Sequence, residues 1–232
     1  INQHHVLAMV SIGSLVLNRS IVAPIGASPL RSALKAKELG ADILELRIDL
    51  LDQDARQSLM SVRKTGLPVI ITYRMKEEGG ACDLDEDERI GTLISLLPFA
   101  DAVDIELCAR DKDKVVKSAK NAGKTVIISR HDFQKTPVPD IMMGIIDESF
   151  EAGADIAKLA MTPGSLDDVL HLLDVTLHAK GAVCTIAMGI QGRHSRVIAP
   201  VYGSVMTYGY VEKTVAPGQL RVDELRYILD RI

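Results

Sequence analysis

Thr125-Val126-Ile127-Ile128-Ser129-Arg130-His131-Asp132-Phe133, followed one helix-length later by Ala154-Asp155-Ile156-Ala157-Lys158-Leu159-Ala160, is the stretch that decides how this chain is read. Each part is a short apolar run of the kind a strand shows when both its faces are buried. One run ends in a histidine and the other carries a lysine. Strand, helix and strand in that order make a parallel crossover unit. In parallel α/β proteins the C-terminal ends of the strands are where chemistry is done.

The same unit recurs on both sides. Strands are expected at Ser20–Ile25, Asp42–Ile48, Leu67–Tyr73, Ala102–Leu107, 124–129, 155–159, Ala182–Met188 and Ser204–Tyr208. Helices are expected from Pro29 to Leu39, at Gln53–Lys64, Glu86–Leu97, Lys112–Asn121, 140–152, from Ser165 to Ala179, at 195–202 and at Val222–Asp230. Ser28 and Ser165 stand at N-cap positions, and Gly40, Gly123 and Gly181 stand at helix ends. Lys76–Asp85 is a Gly-rich, acidic loop. Eight strands, each followed by a helix, in 232 residues predict a (β/α)8 TIM barrel, a single domain spanning 1–232. A doubly wound open sheet is the competitor, but its glycine fingerprint for dinucleotides is missing. Within residues 1–19, Val6–Val10 and Leu15–Leu17, joined by Ser11–Ser14, read as a β-hairpin placed to cover the barrel's N-terminal mouth.

The composition, 47% hydrophobic and 25% charged, is that of an ordinary globular protein. A net charge of −4 with no basic stripe argues against nucleic acid, and no apolar run reaches the length of a membrane span. Cys82, Cys108 and Cys184 are far apart and odd in number, so reduced cytoplasmic thiols are expected rather than a disulfide framework. No metal site is expected. His4-His5 lacks a third ligand, and His171 and His178 form only a weak pair on one helix face.

Side chains alternate along a strand. In Ile43-Leu44-Glu45-Leu46-Arg47-Ile48-Asp49 the polar residues share one face and the leucines the other. With the apolar face toward the helices, Glu45 and Arg47 point into the barrel, as do Thr72 and Arg74, Asp104 and Glu106, Ser129 and His131, and Lys158. All lie late in their strands, at the C-terminal mouth. Structural ion pairs plugging the barrel would explain any one of these pairs. The whole ring is better explained by a site, because burying so much charge is costly unless it is paired or used.

Lys158 and His131 are expected on adjacent strands. An amine beside Arg47, Arg74 and an apolar wall is expected to lose its proton more readily, and neutral it attacks a ketone. The resulting iminium acidifies the neighbouring carbon. A histidine is suited to take that proton and return one to a leaving hydroxyl. The class implied is a Schiff-base lyase acting on a small molecule, with no metal or organic cofactor.

At these residues the chain resembles type I 3-dehydroquinate dehydratases of the shikimate pathway. The motifs are LELRID at 44–49, TYR at 72–74, KEEGG at 76–80, SRHDF at 129–133, ADIAKLA at 154–160, AMG at 187–189, SR at 195–196 and APGQ at 216–219, and together they span nearly the whole chain. The resemblance implies that Lys158 forms the imine, that His131 is the general acid/base and that Glu78 orients it. It also implies that Glu45, Arg47 and Arg74 bind ring hydroxyls, that Arg196 holds the substrate carboxylate and that Gln219 belongs to a closing loop. A homodimer is implied too. Two positions depart from the family pattern. Val215 stands where a serine is expected, with Thr214 beside it, and Ala23, followed by Pro24, stands where a hydroxyl residue is frequent. Tyr208 keeps an aromatic position. A class I aldolase on the same barrel and an inert small-acid-binding barrel are the rival readings. The Glu-Gly-Gly loop and APGQ weigh against the first, the intact lysine and histidine against the second.

Overall fold

The computed structural model describes residues 9–214 and 216–232. Its elements run in chain order as β1 (Ser11–Ile12), β2 (Leu15–Val16), β3 (Ser20–Ile25), α1 (Pro29–Glu38), β4 (Ile43–Arg47), α2 (Ala55–Val62), β5 (Val69–Thr72), α3 (Glu86–Leu96), β6 (Ala102–Glu106) and α4 (Lys112–Asn121). They continue as β7 (Thr125–Asp132), α5 (Pro139–Glu151), β8 (Ile156–Met161), α6 (Leu166–His178), β9 (Val183–Ala187), α7 (Gly189–Gly192), α8 (Ser195–Ile198), β10 (Met206–Tyr208) and α9 (Val222–Leu229).

The strands β3 to β10 form one parallel sheet in the order β10-β3-β4-β5-β6-β7-β8-β9. It curls until β9 and β10 meet at a single bridge, Val183 to Ser204, where the Val205 amide donates to the Val183 carbonyl at 2.9 Å. The result is the (β/α)8 barrel expected from the strand count. Leu44, Leu46, Val103, Ile105, Val126 and Ile128 face outward and pack under the helices in one large buried cluster. Val22, Ile43, Ile70, Ala102, Ile127 and Ile156 face inward and fill the N-terminal end of the barrel. The alternation read along each strand is therefore the partition between the two cores.

The hairpin β1–β2 is offset from the expected one. Its turn is Gly13-Ser14 and its pairs are Ser11 with Val16 and Ile12 with Leu15. Gly13 adopts φ +59, which a tight turn demands and a side chain resists. Val10 still accepts from the Leu17 amide at 2.9 Å, whereas residues 6–8 of the expected first strand, like His4 and His5, lie outside the described residues. Ile12 and Leu17 are buried against the inward apolar cluster, so the hairpin does cover the N-terminal mouth.

Three local readings need correction. Ser28 does not cap α1 with its side chain. It takes a left-handed backbone, φ 52, and only its carbonyl serves, accepting from the Ser32 amide at 3.1 Å. Ser165, by contrast, forms a full capping box with Asp168. Ala23 belongs to the outward cluster, and it is Pro24 that faces the mouth. A hydroxyl at Ala23 would reach the helices, not a ligand. The expected helix at 195–202 is only α8, a single turn, preceded by the separate turn α7. Among the described residues no helix is long and apolar enough to cross a membrane.

Candidate active site

The C-terminal mouth holds a cleft of about 530 Å3, counted with the part open to solvent. All eight residues singled out from the sequence line it: Glu45, Arg47, Arg74, Glu78, His131, Lys158, Arg196 and Gln219. They come from β4, β7, β8 and α8, from the segment after β5, and from the last loop.

Lys158 is almost wholly buried on β8, facing inward. Its Nζ lies 2.8 Å from Asp104 Oδ2 and 3.7 Å from Glu45 Oε1, and 4.3 Å above the ring centroid of Tyr208. The expectation of an amine surrounded by cations thus omitted half of the site, because two carboxylates meet it directly. Asp104 was placed at the mouth from the sequence but given no role. Burial alone would raise its pKa. Arg74 and Lys158 outweigh that and hold it far below the usual carboxylate range.

Arg74 is held on three sides. Its guanidinium meets Asp104 at 2.7 Å and Glu106 at 2.9 Å and donates to Ser129 Oγ at 2.8 Å. Ser129 donates in turn to Asp104 at 2.7 Å, and Glu106 takes Arg89 of α3 at 2.8 Å. Charges that are ruinous alone are each answered here. Arg47 forks onto Asp49, with Nη2 2.6 Å from Oδ2, rather than pairing with Glu45. Asp49 has left the strand for the turn Ile48–Leu50 and so bends back on its neighbour. Glu45 instead accepts from Thr72 Oγ1 at 2.9 Å.

His131 lies near the end of β7, two positions past Ser129, which stands opposite Lys158 in the register. Strand spacing and rise put the Cα atoms of His131 and Lys158 roughly 8 Å apart, within reach of one small ligand. Glu78 holds the ring. Its Oε2 lies 2.9 Å from Nδ1 and accepts the His131 backbone amide at 3.0 Å. Its other oxygen accepts from Cys108 Sγ at 3.2 Å and Arg130 at 3.4 Å. A group facing so many donors acts as a carboxylate, which assigns the His131 proton to Nδ1 and leaves the Nε2 lone pair for the cleft. Burial lowers the His131 pKa well below 6.5, with Arg74 and Lys158 adding to it, so the imidazole is neutral. Burial also raises the Glu78 pKa, against the pull of Arg74.

The Glu-Gly-Gly loop is built for this placement. Lys76–Glu78 forms a 3-10 turn ended by Gly79 at φ 80. A Cβ on Gly80 would stand 2.0 Å from the Arg74 carbonyl oxygen, so no side chain fits where the loop folds back on β5.

Arg196 differs from the other cations. It is buried, and the partners of its guanidinium among the described residues are backbone carbonyls: Gly218 at 3.0 Å, Pro217 at 3.1 Å and Tyr208 at 3.2 Å. Burial pulls its pKa down to about 10. A buried cation with no carboxylate to answer it could hold an anion, and its planar fork suits a carboxylate. The APGQ loop reaches this position because Gly218, φ +72, packs on the backbone of Gly189. Gln219 accepts the Ala216 amide at 3.3 Å. Val215 lies outside the described residues, and Thr214 is exposed.

The sequence profile of the family described as type I 3-dehydroquinase matches residues 20–232. The 3-dehydroquinate dehydratase of Methanosarcina acetivorans is 49% identical over 241 residues, covering 97% of this chain and 100% of the relative. The crystal structure of 3-dehydroquinate dehydratase from Geobacillus kaustophilus superposes with a TM-score of 0.89 at 28% identity, over 95% of both chains. A type I 3-dehydroquinate dehydratase of Clostridium difficile, solved with a covalently modified comenic acid, gives 0.88 at 28% identity, over 95% of this chain and 96% of that one.

Proposed function

Since the chain belongs to the type I 3-dehydroquinase family, we propose that it is a 3-dehydroquinate dehydratase of the shikimate pathway. On this reading it converts 3-dehydroquinate to 3-dehydroshikimate and water through a Schiff base. The observation that carries the assignment is the convergence, in one cleft, of a buried lysine, a neutral histidine oriented by Glu78 and an arginine lacking a carboxylate partner.

That arrangement supports a role for each residue. Arg196 takes the substrate carboxylate and so fixes the ring. Lys158 attacks the ketone, and loss of water leaves an iminium. Nε2 of His131 takes a proton from the adjacent carbon, and the electron pair is drawn toward the iminium nitrogen. The hydroxyl on the next carbon then leaves with the proton His131 returns, as water. Hydrolysis of the imine releases product and restores Lys158. Glu78 steadies the imidazolium in between. Asp104 stays ionised beside the cationic nitrogen of the iminium and stabilises it. Glu45, Arg47 and Gln219 are offered as contacts to the ring hydroxyls, and Arg74 acts mainly by holding Asp104.

The test is direct. The protein is incubated with 3-dehydroquinate, reduced with borohydride and mapped by mass spectrometry. An adduct on Lys158 is expected, and its absence would sink the Schiff-base reading.

We further propose a homodimer, one barrel domain per chain, working in the cytoplasm. Leu166, Leu170 and Leu177 of α6, 62%, 62% and 46% exposed, lie along one side of that helix. Val138 and Ile141, where α5 begins, are exposed as well. An apolar face of this kind suits a second copy of the chain. Sedimentation of the wild type against Leu170→Glu tests it, with a single monomer species for both ruling it out. The free state of all three cysteines is consistent with a reducing compartment.

A further inference from the structure

Tyr208, the last residue of β10, carries a polar atom that the scheme above leaves unused. The residue is 4% exposed and lines the cleft, its ring facing Lys158. Its hydroxyl is buried and has no hydrogen-bond partner among the described residues. The other two hydroxyls in that condition, those of Thr136 and Thr207, do not line the cleft. A phenylalanine would offer the amine the same ring face without burying an unpaired oxygen. Unpaired buried hydroxyls are rare in folded proteins and call for a reason.

Position supplies one. The backbone carbonyl of Tyr208 accepts from Arg196 Nη1 at 3.2 Å, so the phenol and the anion-binding guanidinium are set on one frame. Other polar groups lining the cleft have hydrogen-bond partners of their own: Glu45 with Thr72, Arg47 with Asp49, Arg74 with Asp104, Glu78 with His131. Burial, and next to it the charge of Glu45, push the phenol pKa well above 10. The group therefore stays protonated and able to donate.

We propose that the Tyr208 hydroxyl is a substrate-recognition group, donating a hydrogen bond to an oxygen on the ring of the hydroxylated cyclic acid held between Arg196 and Lys158. This rests on the functional reading above. The free enzyme carries the hydroxyl unsatisfied, and the substrate completes it. Binding and stability should then respond in opposite directions when the oxygen is removed.

The experiment is Tyr208→Phe, which deletes one oxygen and keeps the ring. With 3-dehydroquinate, KM is expected to rise about tenfold, equivalent to about 1.4 kcal/mol, with kcat within about threefold of wild type. The thermal midpoint of the free protein is expected to stay level or rise, and the upward shift produced by saturating product to shrink. An unchanged KM overturns the proposal. If the midpoint also falls, the hydroxyl is structural. A drop in kcat at constant KM overturns it in favour of a role in the chemical step. Wild-type protein that does not turn over 3-dehydroquinate at all refutes the functional reading, and this proposal with it.

Discussion

Replacing Glu78 by glutamine separates the orientation of the base from its charge. The side chain keeps its size, but four donors converge on it: His131 Nδ1 and backbone amide, Cys108 Sγ and Arg130. An amide has only one acceptor atom. The least costly arrangement turns that oxygen to His131 and the NH2 toward Cys108 and Arg130, the more exposed side. The imidazole then keeps a neutral hydrogen bond and loses a charge-assisted one. The net difference between the two is about 1–1.5 kcal/mol, or about 5- to 12-fold in the proton-transfer step at about 1.4 kcal/mol per tenfold. Glu78→Ala also frees the ring to rotate, and a loss of about 100-fold is expected from misplacing the base. The assay follows the ultraviolet absorbance of the conjugated product, with borohydride trapping in parallel. Both variants should form the Lys158 adduct as wild type does, since Glu78 does not touch Nζ. Removing the carboxylate also makes His131 a weaker base, so the acid limb of kcat/KM should move to lower pH in Glu78→Gln. Unchanged kcat in both variants would refute the reasoning, and so would loss of the adduct, which would place Glu78 in imine formation.

Three further outcomes are expected. Arg196→Lys keeps the charge and loses the fork, so KM should rise by about 10- to 100-fold with kcat within a few-fold, as read by steady-state kinetics. His131 bears on stability through pH: its folded pKa lies below the unfolded value of about 6.5, so its contribution is complete above that value and is lost as pH falls below it. The slope is at most about 1.4 kcal/mol per pH unit. Urea unfolding between pH 7 and 5 (about neutral to mildly acid) should show this slope in wild type, and a smaller one in His131→Asn. Ile12→Ala opens a cavity where the hairpin meets the barrel interior and should cost about 2–5 kcal/mol, seen as a lower thermal midpoint, while kcat/KM at moderate temperature stays at the wild-type value.

Much of the fold was legible because a barrel strand obeys one rule along its length. Its outward residues meet helices and its inward residues meet the axis, so Leu44 and Leu46 separate from Glu45 and Arg47 without knowledge of the neighbours. The family pattern misled where the rule would not have: it makes Ala23 a substrate-facing position, yet the face it shares with Ile21 and Ile25 is the helix-facing one. Ser28 and Pro29 have the spelling of a helix start, but the chain enters α1 through a left-handed residue, and that backbone turns the hydroxyl away from the cap. The miss at Ser28 concerns where a residue points after the chain changes direction, which periodicity does not encode.

The site was legible in kind and not in its pairings. A strand's alternation says which side chains reach the mouth, but not which of them meet. Lys158 on β8 pairs with Asp104 on β6, two strands away, because layers inside such a barrel are filled from alternate strands. Ser129 on the strand between them carries the link to Arg74. No spacing along the chain announces a contact over 54 positions. Glu78 is harder still. It stands on a loop, where an acid is ordinarily solvated, and only the resemblance singled it out for the role proposed here. The physical signal was the glycine pair behind it: a Cβ on Gly80 would meet the Arg74 carbonyl and one on Gly79 the Phe133 ring, so a bare backbone is needed for the loop to fold there and bring a carboxylate under the histidine. Asp104 has the opposite signature: it is predicted correctly as inward and buried, and its importance follows from charge balance. A mouth holding Arg47, Arg74, Arg196 and Lys158 must contain buried anions, and Asp104 is the one that meets both Lys158 and Arg74 at hydrogen-bond distance. Arg196 is the cation whose partners among the described residues are backbone carbonyls alone, and the carboxylate contact proposed for it rests on that.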